Sequence, residues 1–493
     1  MREKITIVMA IAIVFLISCS SGNDRIPAYP LIPDYIVKIN KNNIRLVQVE
    51  ASFPLLYGTL WMSTVGTAPL TDGYATFVHD LKATDEQGNT IPLHSLGKGI
   101  WKADAHGHLI IHLKYSVEIG HDKVHWAVSS AFARAYAVGQ AIFFTGRTIF
   151  IAPKGDGSSK IRVHFTLPEG WEIATPYLGL EKKLDSYEAS NLTDLWDNGN
   201  LAGQLEKEEI KAGKLQIIIA GSLSMEGSIR LFKSAISKLV NAYTSGMGGT
   251  PAGKLVVLSS AAQMEEGGET FGKSISLMFY RPPEMLDAER WVHLLSHEVF
   301  HLWNGQAMSP LNQSQVEWFI EGYTDYIADV TALRTGLISK DEFFRQLSIC
   351  VNVYLHNAGI ISMLDAGDDK GTNYNIIYGG GMAIAFAMDL EARKSTDNKK
   401  NLMGFMKKMF VTFGVNHKLY TYQDIIKVSS SVAEKDLSGF FSKYVAGLQV
   451  LPINTYLQSA GLKIAQQSGE NLIKPDPDAG LQEKALLEGI LYK

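Results

Sequence analysis

The sequence predicts an α+β fold in several domains: an N-terminal antiparallel β sandwich or saddle, a mixed middle region and a helical C-terminal part. Three observations carry this. The 493 residues exceed a single domain of about 100–200 residues. Segments in the first third alternate apolar and polar positions, as half-buried strands do. From Glu284 to Leu462 helical signals dominate.

The chain begins MREKITIVMAIAIVFLISCSSGN. Arg2 and Lys4 form a positive start, and Ile5 to Ile17 is an almost wholly apolar run, too short to span a membrane and suited to an export signal. Leu16-Ile17-Ser18-Cys19 resembles the lipobox of bacterial lipoproteins. That resemblance implies a signal peptide over 1–18, cleavage before Cys19 and lipidation of Cys19. Residues 19–35 would form a tether, and the mature chain would have 493 − 18 = 475 residues. The protein would then sit in the bacterial cell envelope, held to a membrane by its lipid chains. The other cysteine, Cys350, stands among Leu347, Ile349 and Val351 and reads as a buried small hydrophobe.

Residues 36–170 form the β domain. Leu109–Val117 and Ile161–Leu167 alternate, and Lys82–Thr90 reads as strand, glycine-containing turn and strand. Residues 171–335 combine strand candidates at Leu215–Ala220 and Lys254–Leu258 with helical segments. Residues 336–463 are helical, within a run of predicted helices near 285–304, 314–335, 340–357, 378–395, 401–412, 422–430 and 436–446. The tail, 464–493, reads as irregular.

Composition limits the function. Apolar residues make up 46% of the chain, enough for sizeable cores. The 46 Lys+Arg against 50 Asp+Glu leave a net charge of −4, which excludes a basic nucleic-acid footprint. Two cysteines exclude a disulfide framework.

The chemistry concentrates at His297-Glu298-Val299-Phe300-His301. Two histidines four residues apart share one helix face, and their imidazoles can hold one metal ion. Glu298, one step round, can take the proton of a water at that ion. His293, one turn earlier, is a competing ligand or a supporting group. A catalytic zinc site takes three protein ligands. Glu321, in Trp318-Phe319-Ile320-Glu321-Gly322-Tyr323-Thr324-Asp325, offers the third from a second, antiparallel helix, with Glu317 as its rival. Asp325, one turn after Glu321, can accept the other ring N–H of a ligating histidine. Two imidazoles and a carboxylate suit one Zn2+ per chain, though cobalt or manganese also fit such a set.

These segments resemble the glycyl aminopeptidase family of zinc metallopeptidases. HE-x-F-H-x-W-N is matched by His297, Glu298, Phe300, His301, Trp303 and Asn304; W-x-x-E-G-[FY]-T by Trp318, Glu321, Gly322, Tyr323 and Thr324. A later Y-x-x-G followed by an apolar helix ending in D-L is matched by Tyr378, Gly381, Asp389 and Leu390. The resemblance implies a thermolysin-like catalytic domain, Glu298 as general base and Tyr378 as the hydroxyl that stabilises the developing oxyanion. Read from sequence alone, Tyr378 is an aromatic at a helix entrance. Gly379 to Gly381 would let substrate approach the backbone closely, or form a flexible helix start. Many members carry a PDZ domain after the catalytic region; the short stretch after Leu462 does not lead us to expect one. Aminopeptidases of the wider group bind the substrate amino group through a Gly-x-Met-Glu-Asn-like strand. The nearest stretch here contains Glu265, Glu266, Gly268 and Glu269, and any of the three glutamates could serve. The expected function is hydrolysis of peptide or protein substrates from the amino terminus. The alternatives are a zinc endopeptidase on the same scaffold, or a non-catalytic zinc-containing binding lipoprotein.

Overall fold

The computed structural model describes residues 32–493 apart from 105–108, 122–123, 127–131, 156, 158, 181–183, 252, 263–265, 468–469 and 493. The segment expected to be a signal peptide, Cys19 and Glu265 lie outside the described residues. No described helix is long and apolar enough to cross a membrane.

The first third of the chain folds into three sheets around one core. The largest has seven strands, including β1 (Asp34–Asn40), β2 (Asn43–Leu55), β3 (Val78–Thr84), β4 (Leu109–Glu118), β5 (Ile161–Thr166), β6 (Leu178–Gly179) and β7 (Ser186–Ala189), in the order β6-β7-β5-β1-β2-β4-β3. The alternation seen in the sequence decides which face is buried: Val47, Val49, Ala51, Phe53 and Leu55 of β2 point inward with Ile161, Val163 and Phe165 of β5. Two differences from expectation appear. The β1–β5 pair is parallel, so the sheet is not purely antiparallel. The β domain also runs past residue 170, because Ser186–Ala189 and Gly199–Gly203 pair with the earlier strands Ile161–Thr166 and Ala141–Thr145, and Leu178–Gly179 and Glu172–Ala174 pair with those two in turn. Such pairing leaves no local pattern to read.

A five-stranded mixed sheet follows, made of β8 (Leu205–Ala212), β9 (Leu215–Ser222), β10 (Gly253–Ala261), β11 (Gly267–Phe271) and β12 (Ser274–Phe279) in the order β8-β9-β10-β12-β11. β9, β10 and β12 run parallel, and β12 is covered on both faces, as parallel strands usually are. β11 is antiparallel and forms the open edge. Helix α1 (Ser228–Met247) crosses from β9 to β10, seating Ile229, Phe232, Ile236 and Leu239 against the sheet.

Besides the short helices Leu192–Trp196 and Met363–Ala366, the remaining helices are α2 (Ala288–Phe300), α3 (Glu317–Arg334), α4 (Lys340–Asn357), α5 (Gly381–Ser395), α6 (Leu402–Met409), α7 (Tyr422–Ala433), α8 (Ser438–Tyr444), α9 (Ile453–Ser459) and α10 (Leu481–Tyr492). A π turn over Ile376–Gly380 leads into α5. The boundary expected at 335 is not a break in packing: one hydrophobic core runs from Leu215 on β9 to Leu491 on α10. The tail expected to be irregular is ordered. Residues Leu462–Gln467 (β13) and Glu470–Pro475 (β14) form a hairpin, and α10 follows. Tertiary contacts hold it: the Ile473 N–H donates to Ser348 Oγ at 2.8 Å, and Arg334 donates to the carbonyls of Gly489 and Ile490 at the end of α10. Isolated, these short segments carry too weak a periodicity to announce themselves.

Helix α3 is buried on nearly every side, from Glu317 to Ala332. Its Gly322 meets Gly381 of α5 backbone to backbone; a Cβ on Gly322 would lie 2.2 Å from the Gly381 carbonyl carbon, and one on Gly381 2.2 Å from the Trp318 oxygen. Glycine here is demanded by close approach of two helices. The approach carries Tyr378, just before α5, to the face of α3 that bears the acidic residues. Gly379 and Gly380 likewise meet Val353, Met363 and Ile376 inside the core, so this run packs helices.

Candidate metal centre

Two helices face each other with complementary side chains four residues apart. On α2 and its last turn these are His293, His297 and His301; on α3 they are Glu317, Glu321, Asp325 and Asp329. The two rows interdigitate. His293 Nδ1 lies 2.7 Å from Asp329 Oδ1, and its Nε2 3.5 Å from Asp325 Oδ1. His297 Nδ1 lies 2.7 Å from the same Asp325 oxygen. Beyond it, His297 Nε2 and His301 Nε2 approach Glu321 Oε2 at 3.2 and 3.4 Å. Burying four carboxylates in a helix is costly unless each finds a cation or donor, and this row of histidines supplies three partners.

Within the ladder one rung differs. His297 Nε2 and His301 Nε2 are 2.8 Å apart, and Glu321 Oε2 is buried with no hydrogen-bond donor. Three lone-pair donors converge there, and among the described residues His297, His301 and Glu321 are the group able to hold a metal ion. The opposite ring nitrogens are engaged. Asp325 accepts from His297 Nδ1–H, and the Asn304 carbonyl, 2.8 Å from His301 Nδ1, accepts from that ring. Each ring is thereby set to offer Nε2 inward, the arrangement a metal ligand requires. Asn304 is itself fixed by donating to the carbonyls of Phe319 and Ile320 and to Thr324 Oγ1. The donor set fits zinc: two imidazole nitrogens and one carboxylate oxygen, the three protein ligands of a catalytic site.

Electrostatics agree with the geometry. Burial works against charge on His297, but Asp325 and Glu321 outweigh it and hold the pKa well above the usual value. Burial likewise opposes ionisation of Glu321, yet Lys370 and His301 keep it well below the ordinary carboxylate range. Asp329 and Asp325 overcome burial at His293 and raise it to about 9. His293 therefore stands behind His297 as a charged support, outside the donor set. Glu317, the rival ligand, is occupied elsewhere: it pairs with Lys370 Nζ at 3.0 Å and accepts from Gln313 Nε2.

The residues expected to surround the centre divide clearly. Glu298 is buried, and Thr270 Oγ1 of β11 donates to its Oε2 at 2.7 Å. Gly268 leaves space for it, since a Cβ there would come within 3.1 Å of Glu298 Cγ. Tyr378 stacks beside His297 with ring centroids 6.1 Å apart. Burial first, then the Glu321 charge, push its hydroxyl well up, so it stays protonated. Of the amino-binding candidates, Glu266 is consumed: Oε1 accepts from the Tyr280 N–H and Oε2 pairs with Arg290. Glu269 is free. Its Oε2 is buried without a partner, and burial followed by the Glu298 charge pushes its carboxyl up to about 8. Thr270, Asp329 and Lys370 were not found from sequence. The four-residue spacing on α3 signals Asp329; no motif marks Lys370.

Residues 34–204 match the family model for the Peptidase M61 N-terminal domain, and residues 290–371 match that for the M61 glycyl aminopeptidase. A solved aminopeptidase N family protein from Idiomarina loihiensis shares the fold with a TM-score of 0.75 at 20% identity, over 88% of this chain and 79% of that one. No curated protein matches the chain in sequence.

Proposed function

The chain belongs to the M61 glycyl aminopeptidase family of peptidases, and from that premise we propose that it is a zinc-dependent aminopeptidase anchored to the cell envelope. The observation that carries the zinc reading is the convergence of His297 Nε2, His301 Nε2 and the partnerless Glu321 Oε2. Zinc held by these three residues would polarise the scissile carbonyl and acidify the attacking water. Glu298, held by Thr270, takes the proton of that water and passes it to the leaving amine. Tyr378 donates its hydroxyl proton in a hydrogen bond to the developing oxyanion.

Glu269 supports the amino-terminal specificity. A half-buried carboxylate on the edge strand beside Glu298, with its Oε2 buried and without a partner, is an incomplete ion pair. A substrate ammonium completes it and fixes the first residue so that its carbonyl meets the centre. The lipid anchor at Cys19 rests on the lipobox resemblance and on the apolar run before it.

The test uses matched peptides with free and acetylated amino termini, with and without a chelator, on protein whose zinc content is measured. We expect about one zinc per chain and chelator-sensitive cleavage of the free peptide alone. Equal cleavage of both peptides would make it an endopeptidase. Bound zinc with no turnover on a broad panel would make it a binding protein. Labelling with a radioactive fatty acid, lost in Cys19→Ala, tests the anchor.

A further inference from the structure

We propose that Lys370 is a positioning residue of the metal centre, clamping the ligand Glu321 so that it presents a single oxygen; this rests on the zinc reading above. Lys370 lies in the turn after Gly367–Asp369, 49 residues beyond Glu321, yet its Nζ is 2.5 Å from Glu321 Oε1. The other Glu321 oxygen, Oε2, is the one that faces both imidazoles. The carboxylate is thus divided between two tasks: one oxygen on an ammonium, one on the donor set.

The same ammonium reaches Glu317 Oε2 at 3.0 Å and lies 5.6 Å from the centre of the Tyr378 ring. It therefore joins a ligand, the residue one turn before it on α3, and the proposed oxyanion donor. Lys370 also ends the ladder. His293 satisfies Asp329 and Asp325 at one end, and at the other Lys370 is the cation for Glu317 and shares Glu321 with the histidines. Without it, Glu321 is free to turn both oxygens inward and occupy the position water needs. Glu317, relieved of its partner, becomes a competing ligand one turn away.

A merely structural lysine would serve as counter-charge to Glu317 and nothing more. Lys370→Met alone strands two buried carboxylates and can unfold for that reason, so the decisive variant is Glu317→Gln/Lys370→Met, which removes one charge of each sign. Zinc affinity is measured by competition with a chromogenic chelator, alongside kcat, KM and Tm. The clamp predicts that the double variant melts close to wild type but binds zinc about 10- to 100-fold more weakly. It also predicts a lower kcat with KM little changed. Wild-type zinc affinity and kcat in the double variant would reduce Lys370 to a counter-ion and overturn the inference. Wild-type protein that neither binds zinc nor cleaves peptides would instead overturn the zinc reading and take this inference with it.

Discussion

Replacing Glu269 by Gln keeps the shape of the side chain and removes its ionisable oxygen, which should have opposite effects on stability and on activity. In metal-free protein the Glu269 carboxyl is raised from 4.5 to about 8, by burial first and the Glu298 charge second. A carboxyl raised in this way binds its proton more tightly in the folded chain than in the unfolded one. The resulting stability is full below 4.5 and is lost as the pH climbs toward 8. The loss is at most about 1.4 kcal/mol per pH unit, or about 2.7 kcal/mol between pH 6 and pH 8. Glu269 is partly open to solvent, which reduces this to about 1–2 kcal/mol. Glutamine has no proton to lose. Calorimetry of chelated protein should therefore show the Tm of Glu269→Gln gaining on wild type by a few degrees between pH 6 and pH 8.5. Activity moves the other way. A charge-assisted hydrogen bond to the substrate ammonium contributes about 1.5–3 kcal/mol, so kcat/KM on free-amine peptides should fall roughly 10- to 150-fold. A Tm difference independent of pH would refute the buried-carboxyl argument. Unchanged kcat/KM on free-amine peptides would remove Glu269 as the amino-group site.

Glu298→Gln should retain zinc by metal analysis while kcat falls by about 100- to 10,000-fold, the usual contribution of a general base. Turnover near wild type would place the base elsewhere. Tyr378→Phe should lower kcat about 100-fold with KM little altered, the loss of one oxyanion donor; stopped-flow or steady-state assays on the same peptide decide it. Gly322→Ala puts a methyl 2.2 Å from the Gly381 carbonyl carbon and forces α3 from α5. We expect a drop in stability of at least about 1–3 kcal/mol by denaturant unfolding, accompanied by loss of activity.

Much of the centre is legible in the chain. HEVFH and WFIEGYTD each lie within one helix, where a fixed rise and turn convert spacing directly into a shared face. That is why His297, His301, Glu321 and the Asp325 support could be placed before any packing was known. The alternating strands and the seven predicted helices follow from the same local periodicities, although one helix is entered through a π turn, another runs on into one, and others end a few residues short of their expected limits. Local rules stop at pairing and approach. Among three nearby glutamates, only strand register and the burial of one edge decide that Glu266 meets Arg290 while Glu269 is left without a partner. The extent of the β domain to Gly203 depends on pairing with Ala141–Thr145, and the ordered tail on Ser348, 125 residues before Ile473. Lys370 reaches Glu321 through the packing of α3 against the segment that enters α5, and nothing in its own neighbourhood marks it. The sequence by itself determined the helices and the chemistry each carries along one face. Tertiary structure alone decided which carboxylate is paired, which is free and which cation meets Glu321, because those are properties of contact between segments that the chain brings together only on folding.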